Sequence, residues 1–163
     1  MPASDGMRGS GGLRRLMAAA REARARAVAD YSGFQVGTAL ETAGGDIVTG
    51  CNIENASYGL TMCAERVALF KALSEGHRAF RRIAIVTAAD APTAPCGACR
   101  QLLWEFAGDI DVIAATLSGR RRRWRTATLL AAPFDARSIG KAPSGVARAS
   151  HRRSPRGERR RKR

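Results

Sequence analysis

Three cysteines at two prospective helix starts constrain this chain more than any other feature. Pro95-Cys96-Gly97-Ala98-Cys99 places two thiols one helical turn apart, where they can converge on one ion. Cys63 opens a second helical stretch, CAERVALFKAL, whose Ala64, Val67, Ala68 and Leu69 give it an apolar face. The three sulfurs can meet only if the two helices lie side by side with their N-termini at the same end. Helix N-termini carry partial positive charge, which favours the thiolate that ligates metal.

The flanking segments supply the sheet such helices need. Leu13 to about Asp30 is Ala/Arg-rich, with Leu13, Leu16, Met17 and Ala20 at helical spacing. Phe34 to Leu40 and Ile47 to about Ile53 read as strands joined by the turn residues Ala43-Gly44-Gly45-Asp46. Arg82 to Thr87 is a β-branched run fitting a buried central strand. Ile110 to Leu117 reads as a further strand that pairs with Arg121 to Thr128 around Ser118-Gly119. The order helix, hairpin, helix, strand, helix, strand, strand implies a three-layer α/β domain, one mixed sheet with helices on its faces.

At 163 residues with 45% apolar side chains, the chain suits one domain with a sizeable core. No run approaches the apolar length of a membrane span, and the start lacks the apolar stretch of a secretory signal. The expectation is a soluble, cytoplasmic protein. Residues 1–12 are Gly/Ser-rich and are expected to be flexible, the domain is expected over 13–140, and 141–163 is expected to be a disordered basic tail.

The net charge of +14 is uneven. From Lys141 onward ten Lys/Arg residues face one acid, Glu158, a net +9 that leaves +5 for residues 1–140. A second cluster runs from Arg120 to Arg123 with Arg125. One reading of this charge is a nucleic-acid-binding protein that neutralises phosphates with its tail. Residues 141–163 contain no Phe, Trp or Tyr, which argues against base stacking, so a solvated extension is the favoured reading and non-specific contact the alternative.

Three thiolates leave one tetrahedral position free, as in a catalytic zinc site. Zinc lowers the pKa of its water toward about 7, and Glu65, two residues after Cys63, is placed to handle the proton without being a ligand. Three thiolates on Zn²⁺ also leave excess negative charge. Arg66 shares a helical face with Cys63 and can offset it, and Gln101 or Arg100 can do the same beside Cys99. Three plainer readings stand beside this one. Cys-x-x-Cys serves redox proteins and zinc ribbons, and a closed structural site would draw its fourth ligand from Cys51 or, less readily, His77. Phe34, Phe134 and Tyr58 are ordinary core or loop anchors unless a site claims them.

Cys63-Ala64-Glu65-Arg66 followed by Pro95-Cys96-Gly97-Ala98-Cys99-Arg100-Gln101 resembles the small homotetrameric cytidine deaminases with a three-cysteine zinc site. Tyr31-Ser32-x-Phe34-x-Val36-Gly37, Cys51 to Tyr58, and Leu129-Leu130-x-x-Pro133-Phe134 match family segments in the same order, so the likeness covers about residues 13–140. It implies a three-layer α-β-α fold with a central mixed five-stranded sheet. It also implies one zinc on Cys63, Cys96 and Cys99, with Glu65 as proton shuttle.

By the same likeness Asn52 and Glu54 bind the ribose 3′-hydroxyl in a stretch running to Tyr58, Phe34 packs on the pyrimidine, and Ala64 offers its backbone to the base. Phe134 reaches a neighbouring subunit's site, so a homotetramer shares its active sites. The implied reaction is hydroxide attack at C4 of cytidine or 2′-deoxycytidine, giving uridine or 2′-deoxyuridine and ammonia, in pyrimidine salvage. A deaminase of a cytosine nucleoside antibiotic is the nearest alternative. The chain departs from the family in its basic tail and in the charge of the Arg120–Arg125 hairpin.

Overall fold

A computed structural model describes residues 5–141, with side chains from residue 11 onward. The tail beyond Lys141 therefore lies outside the described residues. Five strands form one mixed sheet: β1 (Val36–Thr42), β2 (Ile47–Cys51), β3 (Phe80–Thr87), β4 (Asp111–Thr116) and β5 (Arg121–Arg125), in the order β2-β1-β3-β4-β5. β3 and β4 are parallel and the other neighbours antiparallel, so both expected hairpins are present. The parallel step requires a crossover, which α3 (Gly97–Ala107) provides.

Alternation along the strands builds two apolar layers. Leu40, Ile83, Ile85 and Val112 face α2 (Ala64–Ser74) and α3, meeting Ala68, Leu69, Ala72 and Leu103 in the larger core. Ala39, Ala84, Val86 and Ala115 face the other way, onto Leu16 and Ala20 of α1 (Asp5–Arg24). β3 is apolar on both faces because helices cover both, as its β-branched run requires. The fold is the expected three-layer α/β arrangement.

Two glycines let the helices sit this close. A Cβ on Gly37 would come within 2.1 Å of the Ala20 carbonyl oxygen of α1, and one on Gly50 within 2.5 Å of the Ala64 carbonyl oxygen and the Ala68 nitrogen of α2. The second contact seats the start of α2 on β2.

The boundaries of α1 differ from the sequence expectation of Leu13 to Asp30. The helix begins at Asp5, inside the Gly/Ser-rich stretch. Within it, the missing side chain of Gly12 leaves room for the Arg82 guanidinium, 2.8 Å from where a Cβ would stand. It ends at Arg24, because Ala25, Arg26 and Ala27 bond three residues back and Val28 then pairs with the neighbourhood of β2. The Val28 amide donates to the Asn52 carbonyl, and the Glu54 amide to that of Val28. β2 ends at Cys51 and β5 at Arg125, short of the expected Ile53 and Thr128; a short helix, α4 (Thr126–Leu129), takes up the end of the second hairpin.

Candidate active site

Cys63 and Cys96 are the N-cap residues of α2 and α3, with extended backbones, and neither sulfur caps its own helix. Their carbonyls accept the first helical bonds, from Val67 at 3.1 Å and Arg100 at 3.0 Å. Each sulfur is thus carried at a positive helix end while its valence stays free. Cys99 lies in the first turn of α3 and is buried. The three Sγ atoms lie within 4.8 Å of one another, and those of Cys63 and Cys96 are 3.9 Å apart. Two thiolates on one tetrahedral zinc, each bond 2.3 Å long, stand about 3.8 Å apart. The donor set therefore fits zinc in both chemistry and spacing.

The other proposed ligands lie elsewhere. Cys51 donates its thiol to the Arg26 carbonyl at 3.3 Å, and His77 follows the C-terminus of α2, at the opposite end from Cys63. Among the described residues the cluster is open, with three sulfurs.

Its electrostatics are unequal. The hydrogen bond from Cys99, then the hydrogen bond and charge of Arg66, outweigh desolvation and hold the Cys63 thiol down to about 5. The neighbouring Cys63 sulfur, then burial, pushes the Cys99 thiol up. Arg66 Nη2 donates to Cys63 Sγ at 3.4 Å and to the Thr61 carbonyl at 3.3 Å.

No hydrogen bond from Gln101 or Arg100 to a cysteine sulfur is present among the described residues. The Gln101 amide donates to the Phe134 carbonyl at 2.5 Å, and Arg100 bonds the carbonyls of Pro95 and Leu129. Spacing put both residues near Cys99, but unsatisfied carbonyls closer to their tips claim the donors.

Glu65, in the first turn of α2, is 6% exposed. Burial first, and then the negative charge of Cys63, push its carboxyl up to about 7, against a smaller opposing effect of Arg66. A carboxyl that is half protonated near neutrality can both take and give a proton.

The polar stretch after β2 is a closed loop. Ile53 and Met62 exchange two backbone hydrogen bonds of 2.9 Å at its neck, an antiparallel pairing that brings Asn52 alongside Cys63 and Glu54 alongside Thr61 despite the residues between. Within the loop, Asn55 Oδ1 accepts from the Ser57 amide and Thr61 Oγ1 from that of Asn55, and Tyr58–Leu60 form a 3-10 turn.

Asn52 is buried, and its amide is engaged with β1: Oδ1 accepts from the Val36 amide and Nδ2 donates to the Phe34 carbonyl, both at 2.8 Å. Glu54 accepts from the amides of Tyr31 and Ser32 and from the Ser32 hydroxyl. The rings of Tyr31 and Tyr58 meet edge to face, with centroids 5.7 Å apart. Phe34 is 43% exposed and Tyr58 69%. Ala64 is fully buried under Gly50, and as the first residue of α2 its amide has no partner within the helix.

Phe134 stands apart, 66% exposed, on a segment held to α3 by Gln101 and by a 3.0 Å bond from Trp104 Nε1 to Asp135. The sequence reading missed Ser32 and Asp135 as organising residues. The signal for Ser32 was its place in Tyr31-Ser32-x-Phe34; none marked Asp135.

Fold and site together define an α/β/α domain carrying an open three-thiolate metal centre beside a buried acid, the layout of a zinc-dependent hydrolytic enzyme. The cytidine and deoxycytidylate deaminase zinc-binding region matches residues 12–116, and the chain belongs to that family. It is 42% identical over 131 residues to the cytidine deaminase of Sporosarcina psychrophila, covering 80% of this chain and 96% of that one. Its identity to the cytidine deaminase of Halalkalibacterium halodurans is 46% over 125 residues, covering 76% and 95%. Its backbone matches the crystal structure of cytidine deaminase from Burkholderia pseudomallei with a TM-score of 0.73 at 46% identity, over 74% of this chain and 98% of that one. No helix among the described residues is long and apolar enough to cross a membrane.

Proposed function

We propose that this chain hydrolytically deaminates free cytidine and 2′-deoxycytidine to uridine and 2′-deoxyuridine, releasing ammonia. The observation that carries the reading is the buried Glu65, in the first turn of the helix that Cys63 caps, beside three sulfurs spaced for one zinc. Zinc on Cys63, Cys96 and Cys99 supplies an activated water, its pKa lowered toward about 7. Glu65 would take a proton from the attacking water and give it to ring N3 as the C4–O bond forms, then take the proton of the new C4 hydroxyl and give it to the departing amine as the C4–N bond breaks. Arg66 holds Cys63 as a thiolate and offsets the surplus negative charge.

The sugar is bound by Asn52 and Glu54, with Tyr58 framing it, Phe34 packing on the base and the Ala64 backbone reading its edge. A pocket built to pair a sugar hydroxyl rejects a ligand that lacks one, because its own polar groups are then left unpaired. The exposed rings of Phe34, Tyr58 and Phe134 support assembly into a homotetramer in which Phe134 completes a neighbour's pocket. Four free cysteines suit the reducing cytoplasm, where we place the enzyme in pyrimidine salvage.

The test is ammonia release from cytidine and 2′-deoxycytidine, beside a cytosine nucleoside antibiotic, with metal analysis of the same sample. About one zinc per chain and turnover of the two nucleosides are expected. Glu65→Gln should retain zinc and release no ammonia; full activity in that variant would overturn the role of Glu65.

A further inference from the structure

Ser32 has one hydroxyl and uses both of its faces. The hydroxyl donates to Glu54 Oε1, and its oxygen accepts from the Phe34 amide at 2.9 Å. The Ser32 amide adds a 3.0 Å bond to Glu54 Oε2, beside the 2.9 Å bond from Tyr31. Ser32 therefore joins the carboxylate proposed to bind the ribose to the main chain carrying the ring proposed to bind the base.

The other main-chain polar group of Phe34, its carbonyl, is taken by Asn52 Nδ2. Both ends of the Phe34 peptide are thus pinned by polar side chains around the sugar pocket, and Ser32 is the pin that also touches Glu54. Gly33, at φ +67°, allows the turn that brings the hydroxyl back onto the Phe34 amide.

We infer that Ser32 is a positioning residue that fixes the Glu54 carboxylate relative to the Phe34 ring, and so sets how strongly the enzyme demands an intact sugar. This rests on the nucleoside reading of the site. Without the hydroxyl, the Phe34 amide loses its acceptor and Glu54 loses a charge-assisted donor, so the two halves of the pocket drift independently. The thiols and Glu65 lie across the loop neck and are not touched. Ser32 should therefore act on binding of the nucleoside rather than on the proton transfers.

The experiment compares full-length, zinc-loaded wild type, Ser32→Ala, Ser32→Thr, Glu54→Gln and the Ser32→Ala/Glu54→Gln pair, using cytidine and 3′-deoxycytidine. For Ser32→Ala, KM for cytidine should rise about tenfold with kcat within about twofold, the loss expected of one hydrogen bond to a charged group. The preference for cytidine over 3′-deoxycytidine should fall by about fivefold or more. Ser32→Thr, which keeps the hydroxyl, should restore both values. The loss in the double variant should fall short of the sum of the two single losses, because the Ser32–Glu54 bond is counted in both.

Zinc content and melting temperature guard against a merely unfolded variant. An active wild type whose Ser32→Ala variant keeps the wild-type sugar preference, or loses kcat at constant KM, overturns the role of Ser32. A wild type that releases no ammonia from cytidine overturns the nucleoside reading itself.

Discussion

Burying a carboxyl beside thiolates works against stability, and Glu65 shows the conflict directly. Its folded pKa of about 7 lies above the ordinary 4.5. In metal-free protein the protonated form fits the buried site, so stability is fully present below pH 4.5 and declines as pH rises through about 7. Glu65→Gln should therefore stabilise the metal-stripped protein at pH 8 by on the order of 2 kcal/mol, and far less at pH 4.5, in denaturant titrations. The same substitution should abolish turnover.

Arg66 is the complementary case. Arg66→Ala should weaken zinc retention by about 10- to 100-fold in chelator competition, because the thiolate it serves loses its counter-charge. Glu54 titrates in the opposite sense to Glu65: bonds from Ser32 hold its carboxyl below the ordinary value of 4.5. Its contacts are therefore complete above that value and are lost as pH falls through the lowered one. KM for cytidine should be insensitive to Glu54 from pH 7 to 5 and should rise in more acidic buffer.

Among the elements, α2 depends on a glycine of β2. Gly50→Ala would drive a methyl group into the Ala64 carbonyl and the Ala68 amide, displacing the helix that carries Cys63 and Glu65. A loss of about 1–3 kcal/mol in stability, with a larger drop in kcat than in zinc content, is the expected signature in melting and turnover assays.

β5 resolves the meaning of the arginine hairpin. Arg123 and Arg125 pair with Asp111, Arg125 also with Asp109, Arg120 bonds the Asp90 carbonyl, and Arg122 lies 5.1 Å over the Trp124 ring. Much of the cluster is thus engaged in holding an edge strand.

The strands, the three sulfurs and Glu65 were legible because period-two apolarity and ligand spacing are local signals. The extent of α1 was not, since glycines argue against helix while a contact with Arg82 tolerates one of them. Nor was the fate of Gln101, which depends on a carbonyl more than thirty residues away. Asn52 was singled out through the family likeness, and its grip on Phe34 and Val36 was not legible, because it exists only once β1 and β2 are side by side.

For the molecule as a whole, the exposed Phe134 leads to a complementation test. Glu65→Gln and Phe134→Ala should each impair activity on their own. If Phe134 serves a neighbour's pocket, co-refolding the two variants should regenerate sites with both native residues and recover part of the wild-type rate. Solution mass should report four chains.

The closed loop between Ile53 and Met62 has a consequence of another kind. Its two backbone bonds fix the strand on one side and the metal-bearing helix on the other, whatever side chains occupy the residues between. The loop can therefore change as a cassette. If Glu54 reads the sugar as proposed, exchanging residues 54–60 would retune the tolerated sugar while Thr61, whose carbonyl Arg66 holds, and the three sulfurs stay in place.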